Sequence, residues 1–197
     1  MFPMGDSGSP PERVPWVEEV RKRLEARRGP ETPAPVGARR AAVLVPLFVR
    51  NGALWILLTR RTDTLEHHKG QIAFPGGAEE EGDASLLATA LRETQEEIGV
   101  AGDVVVPLGT LPTLTTVTDF YVAPFVGAIP HPYPFRPAES EIAELIEVPV
   151  QSLFDPGIRE EKLLPGRTEP TLFYHCGPHL IWGATARILT DLLDALR

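Results

Sequence analysis

The segment Gly76–Val100, GGAEEEGDASLLATALRETQEEIGV, reads as a glycine turn, a polar loop and an amphipathic helix closed by a glycine. Successive helical residues advance about 100°, so Glu93, Glu96 and Glu97 share one face within roughly 100° of arc. Leu87, Leu91, Thr94 and Ile98 follow the i, i+4, i+7, i+11 rhythm of the opposite face. The pattern predicts a helix over 85–98, with Asp83 as its N-cap and Gly99 as its stop. Three carboxylates this close repel one another unless a cation sits among them. Such a face is either a solvated acidic stripe or a divalent-metal site. The preceding Phe74-Pro75-Gly76-Gly77 turn and the terminal Gly99 favour the metal.

Upstream, residues 41–49 (AAVLVPLFV) and 54–59 (LWILLT) read as apolar strands joined by Asn51-Gly52, a hairpin signal. Residues 60–70 are polar and read as a loop, and 71–74 as a short strand entering the glycine turn. Downstream, 104–111 and 120–129 read as strands around a Thr-rich loop, and 130–137 as a proline-rich loop. An acidic stretch, 139–147, leads into Val148-Pro149-Val150. A strand is expected at 172–174 and a helix over 181–196, with Leu189, Leu192, Leu193 and Leu196 on one side. At the other end, 15–28 read as a helix with Val17, Val20 and Leu24 at helical spacing, and Pro15 is tolerated in its first turn. The first thirteen residues are rich in Gly, Pro and Ser and are expected to be disordered. Residues 29–37 read as a linker. The division is a flexible segment with a short helix over 1–37 and one domain over 38–197. Its fold class is α/β, an α/β/α sandwich around a mixed sheet.

The 197 residues, 43% of them hydrophobic, suffice for one core. A net charge of −8 argues against nucleic acid as the main partner. No apolar run approaches the roughly 18 residues of a membrane span, and the N-terminal residues lack the apolar segment of a signal peptide. The single cysteine, Cys176, forms no intrachain disulfide and fits a reducing compartment. Together these features read as a soluble cytoplasmic protein acting on a small molecule, with no membrane or nucleic-acid partner, as a monomer or homodimer.

The glycine turn, helix and Arg92-Glu93-x-x-Glu96-Glu97-x-Gly99 pattern resembles the Nudix box. Leu57-Leu58-Thr59-Arg60-Arg61-Thr62, followed by Leu65, His68, Gly70, Gln71, Ala73 and Phe74-Pro75-Gly76-Gly77, resembles the signature of the coenzyme A pyrophosphatase branch of that family. The resemblance spans roughly residues 41–189 and includes Trp182-Gly183-x-Thr185-Ala186. Ala84 stands where the general box has glutamate, the loop after Gly77 is one residue longer, and Glu66 stands where the branch usually has arginine.

The resemblance implies hydrolysis of a nucleoside diphosphate derivative with Mg2+ or Mn2+, hard cations suited to oxygen donors. Glu93, Glu96 and Glu97 would be the metal ligands, joined by a backbone carbonyl near Gly76 or Gly77. Arg92 would orient the glutamates through charge-assisted hydrogen bonds. The proton acceptor would be Glu97, or an acid of the later stretch, Glu141 with Glu139 next; that stretch could equally be a solvated face. Arg60, Arg61 and Lys69 are the cations nearest the motif and candidate phosphate ligands. His68 could donate to phosphate, act as a base or hold the turn, and Gln71 would position backbone or substrate. The expected reaction splits coenzyme A into 4′-phosphopantetheine and adenosine 3′,5′-bisphosphate. The alternatives are another nucleotide substrate, such as ADP-ribose, a dinucleotide or a nucleoside triphosphate, or a non-catalytic nucleotide sensor.

Overall fold

A computed structural model describes residues 14–27, 33–63, 69–166 and 168–197. The expected disorder before residue 14, part of the 29–37 linker, and Leu65, Glu66 and His68 lie outside the described residues.

The organising element is β1 (Arg39–Arg50), which is apolar on both faces. Val45 and Leu47 enter one core while Ala42, Leu44 and Phe48 enter the other, as period-two alternation dictates. Asn51 and Gly52 both take positive φ, 49° and 77°, in the tight turn to β2 (Ala53–Arg61). β2 pairs antiparallel with β1 only from Leu47 to Arg50. The other half of β1 pairs with β4 (Gly76–Ala78), so the glycine turn is built into the sheet. β3 (Ile72–Ala73) pairs with the end of β2.

β7 (Phe120–Ala128) runs parallel to β1, and β5 (Val106–Thr110) and β6 (Leu114–Thr115) pair antiparallel with β7. β8 (Ile142–Pro149) pairs with the far side of β2, completing an eight-stranded mixed sheet. β9 (Arg159–Lys162), β10 (Thr171–Cys176) and β11 (His179–Trp182) form a second, three-stranded sheet.

α2 (Leu86–Ile98) packs on one face of the main sheet, where Ala90 and Ile98 join the core of Ala42, Leu44, Phe48 and Leu57. α1 (Pro15–Ala26) and α3 (Gly183–Leu196) cover the other. α1 is seated on the core: Trp16, Val17, Val20 and Leu24 are all buried. The result is the expected α/β/α arrangement. Among the described residues no helix is long and apolar enough to cross a membrane.

Several boundaries differ from the sequence reading. Arg60 and Arg61 end β2 and are not loop residues, because β3 and β8 flank them on both sides. Ile181 and Trp182 belong to β11, paired with Tyr174 and Phe173; Gly183, at φ 66°, redirects the chain into α3. β9 was not expected at all. Its four residues, Arg159 to Lys162, are exposed and charged, so no apolar alternation marks them.

Candidate active site

The N-cap of α2 is Ser85, whose Oγ accepts from the Ala88 N–H at 3.2 Å, and Gly99 closes the helix at φ 74°. Asp83, expected to be the cap, has a different task. Its two carboxylate oxygens accept from Arg92 Nε and Nη2, each at 3.0 Å, and Oδ2 also accepts from Thr89 Oγ1 and the Glu80 N–H. The Arg92 guanidinium holds the Asp83 carboxyl well below the usual carboxylate range, and Asp83 raises Arg92 in turn. The remaining donors of Arg92 reach Ala78 O at 3.1 Å, Glu93 Oε1 at 2.8 Å and Glu96 Oε2 at 3.3 Å. One guanidinium therefore ties the glycine turn, the following loop and two helix carboxylates together. A bidentate Arg–carboxylate fork fixes orientation as well as charge.

The helix faces differ from the periodic reading. Leu87 and Leu91 are only partly buried, whereas Glu97 is buried, with its side chain 6% exposed. Glu97 turns inward because the glycine turn offers it a donor: the Gly76 N–H donates to Glu97 Oε2 at 3.2 Å. Burial pushes the Glu97 carboxyl up to about 7, opposed by the Gly76 hydrogen bond and by Arg61. Burial also raises Glu93, opposed by Arg92. Glu96 remains largely exposed. The turn needs glycine for two reasons. Gly76 adopts φ 155° with a Cβ position that would strike Ala42 O and Val43, and a Cβ on Gly77 would overlap the Glu93 carboxylate.

Arg60 and Arg61 separate because neighbouring strand residues face opposite sides. Arg61 points toward α2: its Nη1 donates to Glu97 Oε1 at 3.4 Å and its Nη2 lies 3.9 Å from Glu141 Oε2. Arg60 points toward the α3 side, where its Nε donates to Glu144 Oε2 at 3.0 Å; the other oxygen of Glu144 lies 3.6 Å from His179 Nε2. Two of the candidate phosphate ligands, Arg60 and Arg61, therefore stand on opposite faces of β2. Only Arg61 stands with the helix carboxylates. Lys69 is exposed, and the backbone oxygen of Gln71 accepts from the Arg61 N–H at 2.9 Å. His68 lies outside the described residues.

The acidic stretch reaches the site through the end of α2. The last carbonyls of a helix lack intrahelical donors, and here Glu97 O accepts from the Ala138 N–H and Ile98 O from the Arg136 N–H, both at 2.9 Å. Tyr133 Oη adds a bond to Gly99 O at 3.2 Å. These bonds bring Glu141, half exposed, beside Arg61, and the Thr62 N–H donates to Glu141 O at 2.8 Å. The Arg60–Arg61 register shift against β8 lies at the same point. Such irregularities re-aim side chains.

Glu93, Glu97 and Glu141 thus lie in one neighbourhood: beyond the effect of burial, the charges of Glu93 and Glu141 raise Glu97, and that of Glu141 raises Glu93. Clustered hard carboxylate oxygens suit Mg2+ or Mn2+. As the side chains stand, no three acidic groups among the described residues enclose an ion. Arg92 draws Glu93 and Glu96 to one side while Arg61 holds Glu97. Rotation of the glutamate side chains would be needed to close a coordination shell. Sequence reasoning missed Asp83 as the anchor of Arg92. The available signal was an acid at the loop's end, nine residues before the arginine.

The NUDIX domain family model matches residues 38–165. The chain is 39% identical to a protein named "uncharacterized Nudix hydrolase NudL" from Cronobacter sakazakii, across 89% of this chain and 92% of that protein. It is 38% identical to the protein of the same name from Salmonella paratyphi B over the same shares. Among solved structures it is similar in fold to a MutT/nudix family protein from Enterococcus faecalis. That match has a TM-score of 0.53 at 17% identity, over 90% of this chain and 67% of the other.

Proposed function

Because the chain belongs to the Nudix family and is a Nudix hydrolase, we propose that it hydrolyses the diphosphate linkage of coenzyme A or its derivatives, with Mg2+ or Mn2+ as cofactor. Glu93, Glu96 and Glu97 would hold the cation, with the Gly77 carbonyl completing the set. The bound ion supplies charge neutralisation of the diphosphate and a more acidic water.

Arg92, clamped by Asp83, keeps Glu93 and Glu96 aimed. Glu141 receives the proton of the attacking water: it is half exposed, adjacent to Glu97 through Arg61, and anchored by backbone to the end of α2. The water oxygen forms a bond to one phosphorus and the bond from that phosphorus to the bridging oxygen breaks. The products are 4′-phosphopantetheine, or its acyl form, and adenosine 3′,5′-bisphosphate.

The substrate assignment is supported by the resemblance of residues 57–77 to the coenzyme A branch, and the Arg61–Glu97 contact sets that segment beside the α2 carboxylates. The segment 57–77, whose residues resemble the coenzyme A branch, delivers its guanidinium to a helix carboxylate rather than to the solvent. A panel of coenzyme A, acyl coenzyme A, ADP-ribose, a dinucleoside polyphosphate and a nucleoside triphosphate, each with Mg2+, tests the reading. Coenzyme A or its thioester is expected to be cleaved with the highest kcat/KM. Cleavage of ADP-ribose with coenzyme A untouched overturns the substrate, and no cleavage of any member overturns the enzyme.

A further inference from the structure

Arg61 is bound to the carboxylates that the proposed function gives to the cation and to the proton. A guanidinium and a divalent cation repel each other, so Arg61 competes with a cation for the charge of Glu97. Arg61 also differs from a structural strut. Its side chain is three-quarters buried, yet its Nε is enclosed and makes no hydrogen bond to any described residue. Buried donors are ordinarily satisfied, and arginine presents a fixed fork of five. On the β3 side, Gln71 O takes the Arg61 main-chain N–H. The contact to Glu97 is long, 3.4 Å, and that to Glu141 longer, 3.9 Å. The guanidinium therefore sits between two acids without a close fit to either, and has a donor to spare beside the site where an anionic substrate would arrive.

We propose that Arg61 is the resident counter-ion of Glu97 and Glu141, displaced when a divalent cation binds and thereby released to donate to the diphosphate oxygens of the substrate. The inference rests on the metal-dependent reading above. It makes the metal-free site self-neutralising and couples metal entry to the arming of a phosphate ligand.

Calorimetric titration of the substrate-free full chain with Mn2+ at pH 8 tests it, comparing wild type with Arg61→Gln. Removal of the competing cation is expected to tighten Mn2+ binding roughly tenfold, the scale of a coupling between two groups that exclude each other. Equal or weaker binding in Arg61→Gln, with wild-type uptake intact, makes Arg61 a strut and overturns the displacement. No Mn2+ uptake by either protein overturns the metal reading and the displacement with it. A measurement on wild type alone guards against misfolding of the variant: the Arg61 Nε–H resonance is expected to shift on titration with Mg2+. Its midpoint should match that of a calorimetric titration of the same protein with Mg2+. A resonance that does not move overturns the proposal.

Discussion

Glu97→Gln in the metal-free protein should be a stabilising substitution at alkaline pH. The ordinary carboxyl value of 4.5 rises to about 7 in the fold because burial disfavours the ionised form. The native state therefore binds more protons than the unfolded chain between those limits, and stability falls as pH rises through the interval. The penalty is complete above about 7 and absent below 4.5. That interval corresponds to about 3 kcal/mol, or roughly 6 to 12 °C in the unfolding midpoint of a chain this size.

Glutamine keeps an oxygen for the Gly76 N–H, leaves Arg61 its contact with Glu141, and removes the charge. The assay is urea or thermal unfolding in EDTA at several values between pH 4.5 and 8. Wild type should lose about 3 kcal/mol relative to Glu97→Gln across the range, the two proteins being nearest at the acid end. Saturating Mg2+ should close most of that gap at pH 8, since a ligand at a hundred times its Kd adds about 2.7 kcal/mol to wild type. Parallel pH profiles in EDTA would refute the burial argument for Glu97.

Two further substitutions probe the frame around that carboxylate. Asp83→Asn removes the charged half of the fork on Arg92 and should lower kcat ten- to a hundredfold, as loss of a group that orients metal ligands does; a wild-type kcat would show that Arg92 aims Glu93 and Glu96 unaided. Gly77→Ala places a Cβ against the end of the flexible Glu93 side chain, so it should weaken Mn2+ binding roughly tenfold while leaving the unfolding midpoint near that of wild type. Unchanged Mn2+ affinity there would separate Glu93 from the cation.

Local patterning made the frame readable where it was strong. Asn51-Gly52 announced the β1–β2 hairpin, and both residues take the positive φ that the tight turn requires. Gly99 announced the end of α2. The helix carboxylates were readable as a group because their spacing is a property of the helix itself. Which of them is buried was not. Glu97 turns inward only because β4, paired to β1, places the Gly76 N–H beneath it, and that pairing joins residues distant in sequence. Asp83 looked like a cap because capping preference is local, whereas its partner Arg92 is more than two helical turns away. Arg60 and Arg61 read as loop residues because the strand continues past the point where the sequence turns polar. Pairing with β3 and β8 extends it, and alternation then sends the two guanidinium groups to opposite faces.

The most direct test of the account is coenzyme A cleavage by wild type and Glu97→Gln in Mg2+, with products identified by mass. Wild type is expected to yield adenosine 3′,5′-bisphosphate and 4′-phosphopantetheine. The folded variant should lose most of its turnover, because a ligand of the activating cation is gone. Undiminished turnover in Glu97→Gln would contradict the assignment of the α2 carboxylates to catalysis.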